Sequence, residues 1–200
     1  MMPRPLRQLG PEIWVADRPQ SFYGLVVGTR MTVIRLDDGS LLLHSPVKLD
    51  PGLRKELDAL GPVRYVVAPN RVHHLYAGKV ADAYPDSRLW IGPGLETKRR
   101  DLVYEAILGD EAPAPWRGQV DQVFFAGRPY ENEMTFFHRA SRTLILCDLA
   151  FNLNEVQQRR QSDVLAAMAR IVRFPLIRFG WPTVEEWITK GGADFRESCS

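Results

Sequence analysis

Cysteine and histidine are scarce in this chain of 200 residues: it has two cysteines, Cys147 and Cys199, and four histidines. Two thiols so placed make no disulfide framework and lack metal-ligand spacing, which points to a reducing, cytoplasmic setting. No run approaches the roughly 18 apolar residues that a membrane span needs, and Met1 to Leu6 holds no apolar leader core. Neither sign of charge dominates, since 26 basic and 24 acidic residues leave a formal charge of +2. The two signs interleave, so there is no electrostatic case for nucleic acid or a membrane surface as partner. Repeats and low-complexity tracts are missing as well. Apolar content is ample at 45%, enough for one substantial core, and we expect one domain over 1–200 whose residues 155–200 form a C-terminal helical part.

The first half reads as β-rich. Glu12 to Ala16 alternates around Ile13 and Trp14, and Thr32 to Leu36 pairs with Leu41 to His44 across the polar turn Asp37-Asp38-Gly39-Ser40. Asp50 to Leu60 carries helix signals: Asp50 as N-cap, Pro51 at the first position, Leu53, Leu57 and Leu60 on one face, and Gly61 as the stop. Val63 to Ala68 is the next strand, so strand, helix and strand imply a right-handed crossover between parallel strands. Leu75 to Tyr84 reads as helix, Arg88 to Ile91 as strand, and Pro93 to Leu108 as a second helical stretch whose run Lys98-Arg99-Arg100-Asp101 is a solvated face. Gly109 to Gly118 is loop. Val120 to Phe125, Met134 to His138 and Thr143 to Leu146 are strands, and Glu155 to Phe174 is an amphipathic helix.

Half of the histidines sit on one turn. The strand Val63 to Ala68 breaks at Pro69 and delivers Asn70, Arg71, His73 and His74 to its C-terminal end. Ligands of layered α/β proteins collect at such ends, because the sheet fixes the scaffold while the loops leaving it carry polar groups. Periodicity alone allows several three- or four-layer α/β arrangements.

The strings Arg30 to Leu36, His44-Ser45-Pro46, Ala68-Pro69-Asn70 leading to His73-His74, and Phe136 to Leu149 together resemble the DUF4336 family. That family is a branch of the metallo-β-lactamase-like (metallo-hydrolase/oxidoreductase) superfamily, and the resemblance spans roughly residues 10 to 155. It implies an α/β fold, the αββα sandwich of two mixed sheets with outer helices. It also implies a metal site, which must be carried over position by position. The superfamily's His-x-His-x-Asp-His aims several ligands at two metal ions. With His74 on its last histidine, Pro69, Arg71 and His73 fall on the first histidine, the second histidine and the aspartate. The superfamily's Gly-His is matched by Gly127-Arg128, its bridging Gly-Asp by Cys147-Asp148, and its early Asp-x-Gly by His44-Ser45-Pro46. No histidine follows His138 to serve as the last ligand.

These losses favour no metal, although His73, His74 and Asp148 could together hold zinc or another divalent ion, which needs at least three protein ligands. His74 and Asp148 are the catalytic candidates, in a pocket of Asn70, Arg71, His73, His74, Arg128 and Asp148. A guanidinium, Arg71 or Arg128, would pair bidentately with Asp148 in place of the missing ion. His74 also fits a structural, hydrogen-bonded role, and His44 and His138 fit strand-end packing with an exposed edge. The resulting expectation is a degenerate member of the superfamily, without dinuclear hydrolase activity, that binds a small anionic ligand or a partner. The alternatives are a metal-dependent hydrolase of an ester, thioester or phosphoester at His73, His74 and Asp148, and an interaction module acting through the C-terminal helix with Trp181 and Trp187. Homo-oligomerisation stays open.

Overall fold

The computed structural model describes residues 5–22, 25–126 and 132–149. Arg128, the helix expected over 155–174, Trp181 and Trp187 lie outside the described residues. The chain divides into two compact units, Met1–Leu149 and Ala150–Ser200, and every described residue belongs to the first.

Strands β1 (Arg7–Gly10), β2 (Ile13–Phe22), β3 (Leu25–Arg35) and β4 (Leu41–His44) form an antiparallel meander. The expected hairpin is β3–β4, with Thr32 facing His44 and Arg35 facing Leu41. The expected 12–16 segment is only the start of a longer strand, since β2 pairs with β3 from Ile13↔Ile34 to Phe22↔Leu25. Helix α1 (Pro51–Leu60) then crosses over to β5 (Val63–Ala68), which lies parallel to β4. Helix α2 (Ala77–Ala83), β6 (Arg88–Ile91), the single turn α3 (Leu95–Lys98) and the short β7 (Ala106–Ile107) complete a seven-stranded mixed sheet in sequential order, β4 to β7 being parallel. Strands β8 (Val120–Phe125), β9 (Glu133–His138) and β10 (Thr143–Ile145) form a second, antiparallel sheet in the order β10-β9-β8.

Leu41 to Leu43 of β4 and Val66 to Ala68 of β5 are continuous apolar runs because the large sheet is covered on both faces. Leu41, Leu43, Val66 and Ala68 point into a core shared with Leu53 and Leu57 of α1 and Ala77 and Val80 of α2. Their alternate neighbours Leu42 and Val67 point into a second core shared with Trp116, Val120, Met134, Phe136 and Ile145. Period-two alternation thus feeds two cores from the same strands.

The helix expected over Pro93 to Leu108 is the main difference from the sequence reading. Only Leu95–Lys98 is helical. Beyond it, Glu105 N–H bonds the Leu89 carbonyl and Leu108 N–H bonds the Ile91 carbonyl. The free edge of β6 therefore captures this segment as β7, and pairing of exposed strand groups outweighs local helix preference. The run 98–101 is correspondingly no uniform solvated face: the Arg99 side chain turns inward onto His74 while also gripping Asp101.

Helix α1 is capped as the sequence predicts. Asp50 Oδ1 accepts from Leu53 N–H at 3.0 Å, and Asp50 Oδ2 also takes the guanidinium of the buried Arg18 at 2.8 Å. The amide bond to its own cap, and then the arginine, hold the Asp50 carboxyl below its usual range. Its contribution is therefore present above the unfolded carboxyl pKa and lost as pH falls through the folded one. Asp50→Ala should cost about 1 kcal/mol or more in denaturant unfolding at neutral pH, and Asp50→Ser, which restores the cap without the ion pair, should recover about 1 kcal/mol of it. An unaltered midpoint in Asp50→Ala would show that the cap does not hold α1.

Candidate functional site

Three elements meet where β4 and β5 end. Ser45 directly follows β4 and takes a left-handed backbone with φ 56, a conformation uncommon for a residue with a Cβ. Its own N–H still bonds the Val67 carbonyl, so the strand pairing runs up to the kink. After β5, Asn70 builds the next turn: its Oδ1 accepts from the N–H groups of Val72 at 2.9 Å and His73 at 2.7 Å. This side-chain turn is why asparagine suits the position. Gly92 closes in beneath, because an added Cβ there would collide with the Pro69 carbonyl.

The third element arrives from the small sheet. Glu133 at the start of β9 is fully buried, and its carboxylate accepts from the N–H groups of Cys147 at 2.5 Å, Asp148 at 2.6 Å and Leu149 at 3.2 Å. Burial pushes its pKa up, opposed by those N–H bonds. A bridge between Asn70 and Glu133, with Met134 N–H on the Pro69 carbonyl, ties this strand to the turn after β5. Asp148 is thereby held over Asn70 and His73.

The side chains then close on one another. Asn70 Nδ2 donates to Asp148 Oδ2 at 2.6 Å, His73 Nε2 meets Asp148 Oδ1 at 3.2 Å, and His73 Nδ1 meets Ser45 Oγ at 2.7 Å. An ionised carboxylate only accepts, so Nε2 carries the ring proton and Nδ1 accepts from the Ser45 hydroxyl. His73 and Asp148 keep 21% and 19% of their side chains exposed, whereas Ser45 is 2% exposed. Burial, and then the Glu133 and Asp148 carboxylates, push the Cys147 thiol up.

The structure brings together Asn70, His73 and Asp148 from the sequence-derived set, but not the others it describes. His74 turns away: its Nδ1 accepts from Arg99 Nη1 at 2.9 Å, and burial, with the Lys98 and Arg99 charges, lowers its pKa to about 4. Arg71 is exposed and forms no ion pair among the described residues. The expected Arg71–Asp148 pair is replaced by Asn70 and His73, because the Asn70 turn points the arginine outward, where its stem lies against Gly94. Lys98 Nζ bonds the Arg71 carbonyl at 2.6 Å, so two exposed cationic side chains belong to the loop that carries His73 and the segment bonded to it. Arg128 lies outside the described residues. His44 and His138 are 2% and 3% exposed, so neither has the exposed edge expected of it. His44 packs edge-on against Phe136 between the sheets, with no partner for Nε2, and burial lowers its pKa to about 3. His138 sits at the far end of β9 and holds Ser141 Oγ at 2.7 Å. A cavity of about 180 Å³ opens beside His138, but Glu12 and Arg35 on its wall neutralise each other and Arg139 is taken by Asp121.

Ser45 and Glu133 were missed by sequence reasoning. Ser45 was visible only as part of a displaced motif, and an acid before the apolar stretch Met134 to Phe137 gives no signal that it is buried.

These residues do not suit the fold's metal centre. Among the described residues no three His, Cys, Asp or Glu side chains are grouped to hold an ion. His73 and Asp148 spend their donor atoms on each other and on Ser45 and Asn70, while His74 spends one on Arg99.

Residues 11–167 match the profile of a family described as "Domain of unknown function (DUF4336)". No curated protein matches the chain. Among solved structures, the chain is similar to a metallo-beta-lactamase from Pontibacter korlensis, with a TM-score of 0.53, 10% identity and 66% of each chain covered. It is also similar to one from Hirschia baltica (TM-score 0.51, 12% identity, 68% of this chain and 67% of that one). A third, from Erythrobacter litoralis, has a TM-score of 0.52 at 16% identity over 66% of this chain and 64% of that one. The chain thus spans about two thirds of these structures, and at such identities the likeness shows the fold, a metallo-β-lactamase-like α/β sandwich.

Neutral burial of His44 has a measurable consequence. Its folded pKa lies below the unfolded value, so stability is full above about pH 6.5 and is lost as pH falls toward the folded value. The loss should approach ~1.4 kcal/mol per pH unit between pH 6 and 4, and His44→Leu should remove that part of the slope. An equal slope in both proteins would show that His44 is solvated.

Proposed function

On the premise that the chain belongs to the DUF4336 family, we propose that it keeps a metallo-hydrolase-like fold but uses the strand-end cluster to bind a small anionic ligand, not to run a dinuclear hydrolytic centre. The observation that carries this reading is the two-sided engagement of His73, with Ser45 at 2.7 Å and Asp148 at 3.2 Å. Groups that resemble metal ligands satisfy one another, so no ion is needed to offset the Asp148 charge. Arg71 and Lys98 add the positive rim that an anion requires.

A second reading has one observation in its favour. His73 Nε2 and Asp148 Oδ1, 3.2 Å apart, are spaced as two ligands of a single ion would be, so a minimal-site metal hydrolase would start from this pair. Among the described residues it lacks the third protein donor that a lone zinc needs. Docking through Trp181, Trp187 and the C-terminal helix concerns residues outside those described. In the reading we favour the partner is a small molecule, in the cytoplasm, and neither nucleic acid nor membrane is engaged. No described helix is long and apolar enough to cross a membrane.

Elemental analysis of protein purified without chelator, joined to thermal melting in succinate, tests this. We expect less than stoichiometric zinc, iron or manganese and a melting temperature indifferent to chelator. Succinate should raise the melting temperature, by the equivalent of about 2.7 kcal/mol at a hundredfold excess over Kd, and Arg71→Ala should abolish the rise. Two tight ions per chain would restore the dinuclear centre, one ion lost in His73→Gln would restore the minimal site, and no response to succinate would remove the anion site.

A further inference from the structure

We propose that Ser45, His73 and Asp148 form an acyl-transfer relay in which Ser45 Oγ accepts the acyl group of a small, anionic carboxylic ester. The anionic character of the substrate rests on the binding reading above; the chemistry goes beyond it. Three observations carry the assignment. Ser45 stands at the C-terminal end of a parallel-paired strand in the left-handed backbone region, φ 56. Backbone strain of this kind, on a residue at a strand exit, is a marker of function. Its Oγ lies 2.7 Å from a histidine nitrogen, within proton-transfer reach. The opposite nitrogen of that ring is oriented by a carboxylate at 3.2 Å, which Asn70 and the Glu133-bound backbone hold in place. A nucleophile, a base and a group that orients the base constitute the arrangement that activates a hydroxyl.

The steps balance without a metal or any redox partner. As the bond from Oγ to the acyl carbon forms, the hydroxyl proton passes to His73 Nδ1, and Asp148 stabilises the imidazolium through Nε2–H. Collapse of the adduct breaks the bond to the leaving alcohol, which takes the proton from Nδ1. Water then repeats the sequence, cleaving the Ser45 ester to the carboxylic acid and restoring the hydroxyl. Pro46 has no N–H to offer the developing oxyanion.

An alkyl fluorophosphonate tests this on the whole chain, since serine attack forms a P–O bond, expels fluoride and leaves a stable adduct. Intact mass and peptide mapping should show one adduct per chain, on Ser45. His73→Gln, with Asp148→Asn as the second variant, should slow labelling about 100-fold with the melting temperature retained. Absence of the Ser45 adduct on folded wild-type protein, or labelling that ignores both variants, would overturn the relay. Succinate should slow labelling; if Ser45 reacts at the same rate with succinate present, the relay stands and the anionic substrate falls.

Discussion

The buried carboxylate of Glu133 is the interaction on which the strand-end architecture depends. A charge at the base of a sandwich core is expensive unless hydrogen bonds offset it, and here three successive backbone N–H groups from Cys147, Asp148 and Leu149 do so. Those bonds tie the segment after β10 to the start of β9. The bridge to Asn70 then ties β9 to the loop leaving β5. One acid side chain therefore fixes the relative position of two loops from two sheets, and Asp148 reaches His73 only because of it.

Within that frame the polar groups are arranged in series. Ser45 meets His73, His73 meets Asp148, Asp148 meets Asn70, and Asn70 closes the turn that carries His73. A closed set of this kind is rigid, because each bond restricts the rotamers of the next member. The same strand ends that in the superfamily aim ligands at metal ions here aim donors at acceptors, while Arg99 draws His74 out of the set.

Much of the architecture was legible in the residues. The β3–β4 hairpin, the Asp50 cap, Pro51 and the crossover to β5 follow from local rules, and each is found as expected. The segment after Lys98 was not legible, because its strand character comes from the edge of β6 and not from its own pattern. At the site, Asn70, His73 and Asp148 were found through motif positions, which sequence preserves. Of the two guanidiniums expected to pair with Asp148, Arg128 lies outside the described residues and Arg71 does not reach it, since choosing between an arginine and an asparagine one residue apart requires the direction of a turn. Ser45 and Glu133 matter through burial and through hydrogen bonds made across 28 and 15 residues, which no local spacing announces.

The protonation pattern of the His73 ring is the most direct test of this account. With four histidines in the chain, 15N imidazole spectra of histidine-labelled protein can be assigned by His73→Gln. The account predicts that the His73 ring carries its proton on Nε2, facing Asp148, with a bare Nδ1 accepting from Ser45. A proton on Nδ1 with a bare Nε2, the tautomer a metal ligand would present at that nitrogen, would contradict it.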